Sequence, residues 1–370
     1  MEEIFRYADD LGPLKIIHIH EPSVGLRAVL VVDNVACGPS IGGVRMAPDV
    51  STEEAFRLAR AMTMKNAAAG LHHGGGKAVI FGDPKMEPDR KELLIRAFAC
   101  TVKDCLEYIA GPDMGTDEMC MAWIQDEIGR SVGLPREIGG IPLDEIGATG
   151  FGLSHAVDVV LDYCDFELQG ARVVVQGFGS VGRHAARFLT KQGALLIGAA
   201  DSRGAVHDPD GLSVAALVEL KEQGKSVVDL PGAAKLAQDA VIDMECDIWI
   251  PAARPDVIHT DNVQRLRTKL IVQGANIPFT EDAEKVLFEH GVIVVPDFIA
   301  NAGGVICAAV EYQGETQSVA FQVIEEKIRA NTRQVMEEAK AGKIMPRQAA
   351  VELSVRRVKK AMECRRWALF

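Results

Sequence analysis

The run Arg172-Val-Val-Val-Gln176-Gly177-Phe178-Gly179-Ser180-Val181-Gly182 constrains this chain more than any other stretch. An apolar run that ends in Gly-x-Gly-x-x-Gly and leads into helical spacing, here to about Lys191, is a strand, a tight turn and a helix in succession. Gly177 allows the turn, Gly179 leaves the backbone open to a pyrophosphate at the helix N-terminus, and Gly182 lets helix and strand pack closely. Asp201 follows the next apolar run, Leu195 to Ala200, and starts the segment Asp201-Ser202-Arg203. A carboxylate there accepts from adenosine ribose hydroxyls and repels a 2′-phosphate, which favours NAD. The Arg203 guanidinium beside it would pair with that phosphate, so NADP also stays possible.

Further apolar runs, Asp247 to Ala252, Lys269 to Gly274 and Val292 to Pro296, alternate with helix-like segments. This rhythm predicts a doubly wound parallel sheet, in which the carboxyl ends of the strands line the ligand crevice. Ala252, Asn276 and Asp297 fall at those ends.

The N-terminal part reads differently. Ile16 to His20 and Leu26 to Asp33 predict strands, and His18 and His20 share one strand face, where solvent exposure is the ordinary outcome. Gly38 to Gly43 reads as a glycine-rich loop. Ser51 with Glu54 opens a helix that delivers Lys65 to its end. Gly74-Gly75-Gly76 reads as a bare turn, after which Lys77 opens an apolar strand, Ala78 to Phe81. Two lysines beside bare backbone offer either a charge for a carboxylate or a tunable amine, or they are solvated surface groups. Pro88 to Leu106 predicts a helix and Tyr108 to Gly111 a strand. Asp113 then lies in a loop past a strand end, where it would cap the next helix unless Thr116 does so and leaves it for another role. Pro and Gly between 133 and 147 mark a domain boundary.

At 370 residues and 48% hydrophobic, the chain is long enough for two domains with large cores. A formal net charge of −12 argues against nucleic acid or anionic membrane as a partner and leaves a small-molecule substrate as the default. No apolar run is long enough to span a bilayer, and the N-terminus is acidic rather than signal-like, which reads as cytoplasmic. The eight cysteines are scattered, so no metal site or disulfide frame is expected.

With these motifs in order, the chain resembles the glutamate/leucine/phenylalanine/valine dehydrogenase superfamily over nearly its whole length. The resemblance rests on Gly42-Gly43-Val-Arg-Met, Met-Lys65-Asn-Ala, Gly-Gly-Gly-Lys77, Gly-Pro-Asp113-Met-Gly-Thr, the Gly177 loop, Gly274-Ala-Asn276 and Pro296-Asp-Phe-Ile-Ala-Asn301-Ala-Gly-Gly304. It implies a two-domain α/β enzyme that reversibly deaminates an L-amino acid to a 2-oxo acid and ammonia, with hydride passing to NAD(P). Residues 1–147, joined by C-terminal helices from about 335 to 370, would form the substrate and oligomerisation domain. Residues 148–334 would form the dinucleotide domain. Lys65 would hold the substrate α-carboxylate, Lys77 would be the catalytic amine, and Asp113 would shuttle protons. Thr149 and Asn276 would contact the nicotinamide end. Homo-oligomers, hexameric or octameric, are implied as well.

Two positions bear on the substrate. An ungapped alignment from Gly42-Gly43 puts Phe56 where glutamate-specific members carry a lysine, and the residue that matches their serine after the Ala-Gly-Gly-Val segment is Ala308. The pocket positions, Ile41, Gly42, Gly111, Val305 and Ala308, are apolar, which predicts an apolar side chain of leucine, valine or phenylalanine type. A γ-carboxylate there would be desolvated without a partner. Glutamate dehydrogenase is the alternative, and a non-catalytic NAD(P)-binding regulator a third reading. Cys307, near the pocket, reads as packing rather than as a nucleophile.

Overall fold

A computed structural model describes residues 5–364. It groups the chain into two compact units, one built from residues up to Pro142, Val305–Ala320 and those from Val351 on, the other from Leu143–Gly304 and Phe321–Ala350. The chain thus changes unit four times, against the expected crossings near 147 and 334. The first change lies within the Pro/Gly-rich stretch. The last three fall inside continuous helices, where periodicity carries no break. Residues 365–370 of the expected C-terminal helix lie outside the described residues.

In the first unit, β1 (Lys15–Glu21), β2 (Leu26–Asn34), β3 (Ser40–Ala47), β4 (Gly74–Phe81) and β5 (Tyr108–Pro112) form one sheet in the order β1-β2-β4-β3-β5. β3, β4 and β5 are parallel, and β2 runs antiparallel to β4. Helix α1 (Thr52–Ala68) packs on one face over Val29, Val31 and Val79. Helices α2 (Pro88–Thr101) and α3 (Glu118–Ile128) cover the other, over Leu30, Val44, Ile80 and Tyr108. The two sets alternate along β2 and β4, the period-two pattern of a sheet buried on both faces.

Both expected glycine loops are strands. Gly42 and Gly43 lie in β3, and Gly74 to Gly76 open β4, so Lys77 sits inside a strand rather than at its start. The glycines are there for proximity. A Cβ on Gly42 would lie 1.6 Å from the Gly76 carbonyl oxygen, and one on Gly75 would lie 2.1 Å from the Thr63 nitrogen of α1. Bare backbone therefore lets β3, β4 and α1 approach more closely than side chains permit.

Helix ends follow local chemistry. Ser51 accepts from the Glu54 N–H at 3.1 Å and caps α1. The cap of α3 is Asp117, which accepts from the Cys120 N–H, and neither of the two expected candidates, Asp113 and Thr116. Thr116 instead donates its hydroxyl to the Val44 carbonyl and accepts from the Asp113 N–H, which fixes the loop after β5. Helix α2 stops at Thr101, short of the expected Leu106, where the Thr101 hydroxyl turns back to the Phe98 carbonyl.

After a single helical turn, Leu143–Ile146, the second unit has α4 (Ala148–Val160), followed by β6 (Arg172–Gln176), α5 (Ser180–Lys191), β7 (Leu195–Asp201), β8 (Gly204–His207), α6 (Val214–Glu222), β9 (Ala234–Leu236), β10 (Ile248–Pro251), β11 (Leu270–Val272), α7 (Glu281–Glu289) and β12 (Ile293–Val295). The sheet runs β12-β11-β10-β6-β7-β8-β9. From β12 to β7 it is parallel, as expected; β8 and β9 are antiparallel additions. Only Ser202 and Arg203 separate β7 from β8, and so short a link can join antiparallel strands alone. The strand order reverses at β6, between β10 and β7, which is the switch point where open α/β sheets bind ligands. Helices α8 (Gly303–Tyr312), α9 (Gln317–Gly342) and α10 (Pro346–Cys364) complete the chain. Among the described residues, no helix is long and apolar enough to cross a membrane.

Candidate active site

Ile41, Gly43 and Arg45 share one face of β3 by the period of two, and Lys77 lies beside them on β4. A Cβ on Gly43 would stand 3.1 Å from Lys77 Nζ and 2.7 Å from Asp113 Cβ, so the glycine makes room for both groups. Lys77 Nζ donates to Asp113 Oδ1 at 2.5 Å. Arg45 Nε donates to Asp113 Oδ2 at 2.6 Å, and Arg45 Nη1 to Glu54 Oε1 at 2.5 Å. A line of four charged side chains thus runs from partly exposed Glu54 to Lys77, whose side chain is only 5% exposed.

Burial sets the electrostatics. It lowers the Lys77 pKa from the ordinary lysine value, against the pull of Asp113 and with the help of the Arg45 charge. Burial alone would raise the Asp113 pKa, but Lys77 and Arg45 bring it below the usual carboxylate range. The result is an ionised carboxylate held by two cations, next to an amine that gives up its proton more readily than a surface lysine. Arg45 and Glu54 escaped the sequence reading; the two-residue spacing from Gly43 to Arg45 on one strand was the available signal.

Lys65 is half-buried in the last turn of α1, and its neighbour Asn66 donates to the Gly74 carbonyl at 2.7 Å, tying that turn to β4. Ile41 and Ala308 meet in a buried apolar cluster with Ile109 and Val132. A Cβ on Gly111 would touch Val132 Cγ2 at 3.3 Å, and Val305 is half-buried on α8. Ile109 and Val132 were not foreseen; Ile109 is two residues before Gly111 on β5 and so shares its face.

Phe56 is elsewhere. Its ring stacks on Tyr7 at 4.9 Å and packs beside the α1-facing cluster, with Arg60 over it. It does not join the Ile41 cluster, so the inference drawn from Phe56 about substrate is withdrawn. One helical register cannot tell which face of α1 turns inward. Cys307 is buried, and burial pushes its thiol up to about 12, which removes it as a nucleophile. His18 and His20 are exposed on β1.

The Gly177 loop of the second unit fits a dinucleotide. Gly177 has φ +94°, and a Cβ there would lie 2.7 Å from the backbone of Ala252 and Ala253. A Cβ on Gly182 would lie 2.0 Å from the Gly177 carbonyl oxygen, the close helix–strand contact expected. Nothing lies within 4 Å of a Cβ on Gly179, so the backbone there is open, and the first N–H groups of α5 lack intrahelical partners. The N–H groups of Gly177 and Phe178 are committed to the Ala200 carbonyl, and Phe178 is fully buried. Ser180 donates to the Asp144 carbonyl at 2.9 Å, and Val181 is half-buried in the first turn. Buried oxygens of Gln176 and Asn301 have no partner among the described residues, as befits groups that face a polar ligand. Asn301 donates to Asn276 at 2.9 Å, and Thr149 lies half-buried in the first turn of α4.

Asp201 is more heavily engaged than the sequence suggests. Oδ1 accepts from the Arg203 N–H at 2.9 Å and the Ser226 hydroxyl at 2.7 Å; Oδ2 accepts from Lys221 at 2.8 Å and the Val227 N–H at 3.0 Å. Burial opposes its ionisation, yet these donors hold its pKa down to about 2. Ser202 and Arg203 are exposed, and Arg203 reaches Asp229 at 3.6 Å.

Comparisons with known proteins bear on the family of the chain. Residues 139–366 match a family model described as Glutamate/Leucine/Phenylalanine/Valine dehydrogenase, and residues 15–130 match its N-terminal dimerisation domain. A glutamate dehydrogenase of Aeropyrum pernix is 36% identical over 357 residues, covering 90% of this chain and 85% of that protein. An NADP-specific glutamate dehydrogenase of Saccharolobus shibatae is 38% identical over 293 residues, covering 75% and 69%. Among solved structures, the hetero-hexameric glutamate dehydrogenase of Thermus thermophilus in its Leu-bound form superposes with a TM-score of 0.84 at 29% identity, covering 96% of this chain and 91% of that one.

Proposed function

Because the chain belongs to the glutamate/leucine/phenylalanine/valine dehydrogenase family, we propose that its first unit binds an L-amino acid and its second unit NAD(P). It is an NAD(P)-dependent oxidoreductase acting on the CH–NH2 group. The observation that carries the roles is the Lys77–Asp113 pair at 2.5 Å, buried beside a glycine-lined strand. Lys65, a fixed cation at a helix end, holds the substrate α-carboxylate. Lys77 takes a proton from the water that adds to the imino carbon of the oxidised substrate, which a buried amine of lowered pKa does at a milder pH than a surface lysine. Asp113 passes protons to and from the substrate nitrogen. The bound NAD(P) supplies the acceptor for the hydride that leaves Cα. Gly179 and the first turn of α5 hold its pyrophosphate, and Thr149, Asn276 and Asn301 hold its nicotinamide end.

For the side chain, the cluster of Ile41, Ile109, Val132 and Ala308 favours an apolar amino acid, since none of the four can pair with a γ-carboxylate. The names of the relatives favour glutamate, the second reading, which the comparisons support better than the first. Initial rates with leucine, valine, phenylalanine and glutamate, run side by side at alkaline pH, decide between them. Preference for an apolar substrate supports the cluster's reading, and turnover of glutamate alone overturns it. The dimerisation-domain match and the hexameric neighbour support a homo-oligomer, for which we infer a hexamer or octamer, checked by light scattering. A cytoplasmic location goes with this reading.

A further inference from the structure

The ribose-reading role expected of Asp201 needs a free lone pair, and the structure leaves it none. An ionised carboxylate offers about four acceptor positions in all. Arg203 N–H, the Ser226 hydroxyl, Lys221 and Val227 N–H occupy four, from three different segments. Asp201 is therefore a brace that ties the β7–β8 turn to α6 and to the loop after it. Its charge is also compensated at 2.8 Å by Lys221, whose ammonium has two donors left. The crevice that holds Gly179 and Asp201 is lined as well by Lys221, Ser202 and Arg254, of which Arg254 is exposed. The groups with hydrogen-bonding capacity to spare at this end of the crevice include two cations and a hydroxyl, all of them able to donate to a phosphate.

Resting on the dinucleotide reading of the second unit, we propose that Lys221 and Arg254, with Ser202, read the adenosine ribose through a 2′-phosphate, so that the enzyme binds NADP more tightly than NAD. This reverses the preference that Asp201 suggests from sequence. A neutral 2′-hydroxyl would find no free carboxylate acceptor there, whereas a 2′-phosphate would meet the Arg254 charge and the remaining donors of Lys221, whose own charge is shared with Asp201.

The test is calorimetric titration of the full-length protein with NADPH against NADH, and with 2′,5′-ADP against 5′-ADP, at two salt concentrations. The 2′-phosphorylated member of each pair is expected to bind at least about tenfold tighter, the scale of one charge-assisted hydrogen bond, and to lose affinity faster as salt rises. Lys221→Met should weaken NADPH by about tenfold or more while leaving NADH unchanged or tighter, because it opens one acceptor position on Asp201 Oδ2, which keeps the Val227 N–H. Ser226→Ala opens one position on Oδ1, which keeps the Arg203 N–H, without touching a cation, and should tighten NADH alone. Should circular dichroism show Lys221→Met unfolded, Arg254→Ala, at an exposed side chain, carries the same expectation for NADPH. Equal or tighter binding of NADH by the unaltered protein overturns the inference and leaves the dinucleotide site standing. Failure of all four ligands to bind overturns both.

Discussion

Lys77 Nζ stands 2.5 Å from Asp113 Oδ1, and the other oxygen of the same carboxylate is held by Arg45 at 2.6 Å. One acid is thus fixed between a lysine whose pKa burial lowers and an arginine that stays charged. Lys77→Ala should cut turnover by about a thousandfold, the scale of lost acid–base catalysis, while NAD(P)H affinity stays within about twofold. Stopped-flow rates and calorimetry on the same preparation check it; a joint loss of both would place Lys77 in the architecture instead.

Arg45 helps to set the position of the acidic limb, along which the rate rises with pH. In the proposed mechanism the free-amine form of Lys77 is the active one, so the rate of oxidative deamination should rise with pH until that amine is deprotonated. Burial, the larger cause, and the Arg45 charge both lower the Lys77 pKa, whereas Asp113 raises it. Removal of Arg45 therefore moves the limb to higher pH, and Asp113→Asn moves it to lower pH. The pH profile of kcat for Arg45→Met measures the first; a limb that stays in place would mean that another group titrates.

Two glycines should respond in opposite ways. Gly75→Ala puts a methyl 2.1 Å from the Thr63 nitrogen, and should destabilise the fold by about 3 kcal/mol, read from urea unfolding. Gly179→Ala meets nothing within 4 Å and lies at a negative φ, so stability should stay within about 0.5 kcal/mol. Its methyl would occupy the approach of the pyrophosphate, and dinucleotide affinity should fall by about tenfold or more.

Side-chain choice should follow the apolar cluster. Ile41→Lys with Ala308→Ser introduces a cation and a hydroxyl where four apolar groups now meet. The ratio of kcat/KM for glutamate over leucine should rise by about a hundredfold, as expected when a buried carboxylate gains a charged partner. Competition assays with both substrates present give that ratio directly.

The dinucleotide unit was legible because its signal is local: an apolar strand, three glycines at fixed spacing and a helix are contiguous in the chain. Lys65, Lys77 and Asp113 were legible as residue types in motifs. What they touch was not. Arg45 reaches Asp113 through pairing between strands, and Glu54 reaches Arg45 from the first turn of α1, which no linear spacing declares. Gly74 to Gly76 were misread as a turn because glycine is poor in strands on average; here close packing of neighbouring backbones outweighs propensity. Phe56 was misplaced because an ungapped alignment fixes sequence position and not the face of a helix. Asp201 was identified by place, but its saturation depends on Ser226 and Val227, some 25 residues away in the chain.

The Glu54–Arg45–Asp113–Lys77 line has one further consequence. A guanidinium does not give up its proton in water, so the line carries an electric field inward from the surface and blocks proton traffic along the same path. Glu54 can bias the amine and cannot drain it. In the proposed mechanism a proton collected by Lys77 would leave by way of Asp113 and the bound substrate, or wait for the product to depart. The arginine acts as an insulator, and it ties the movement of charge in this site to the movement of substrate.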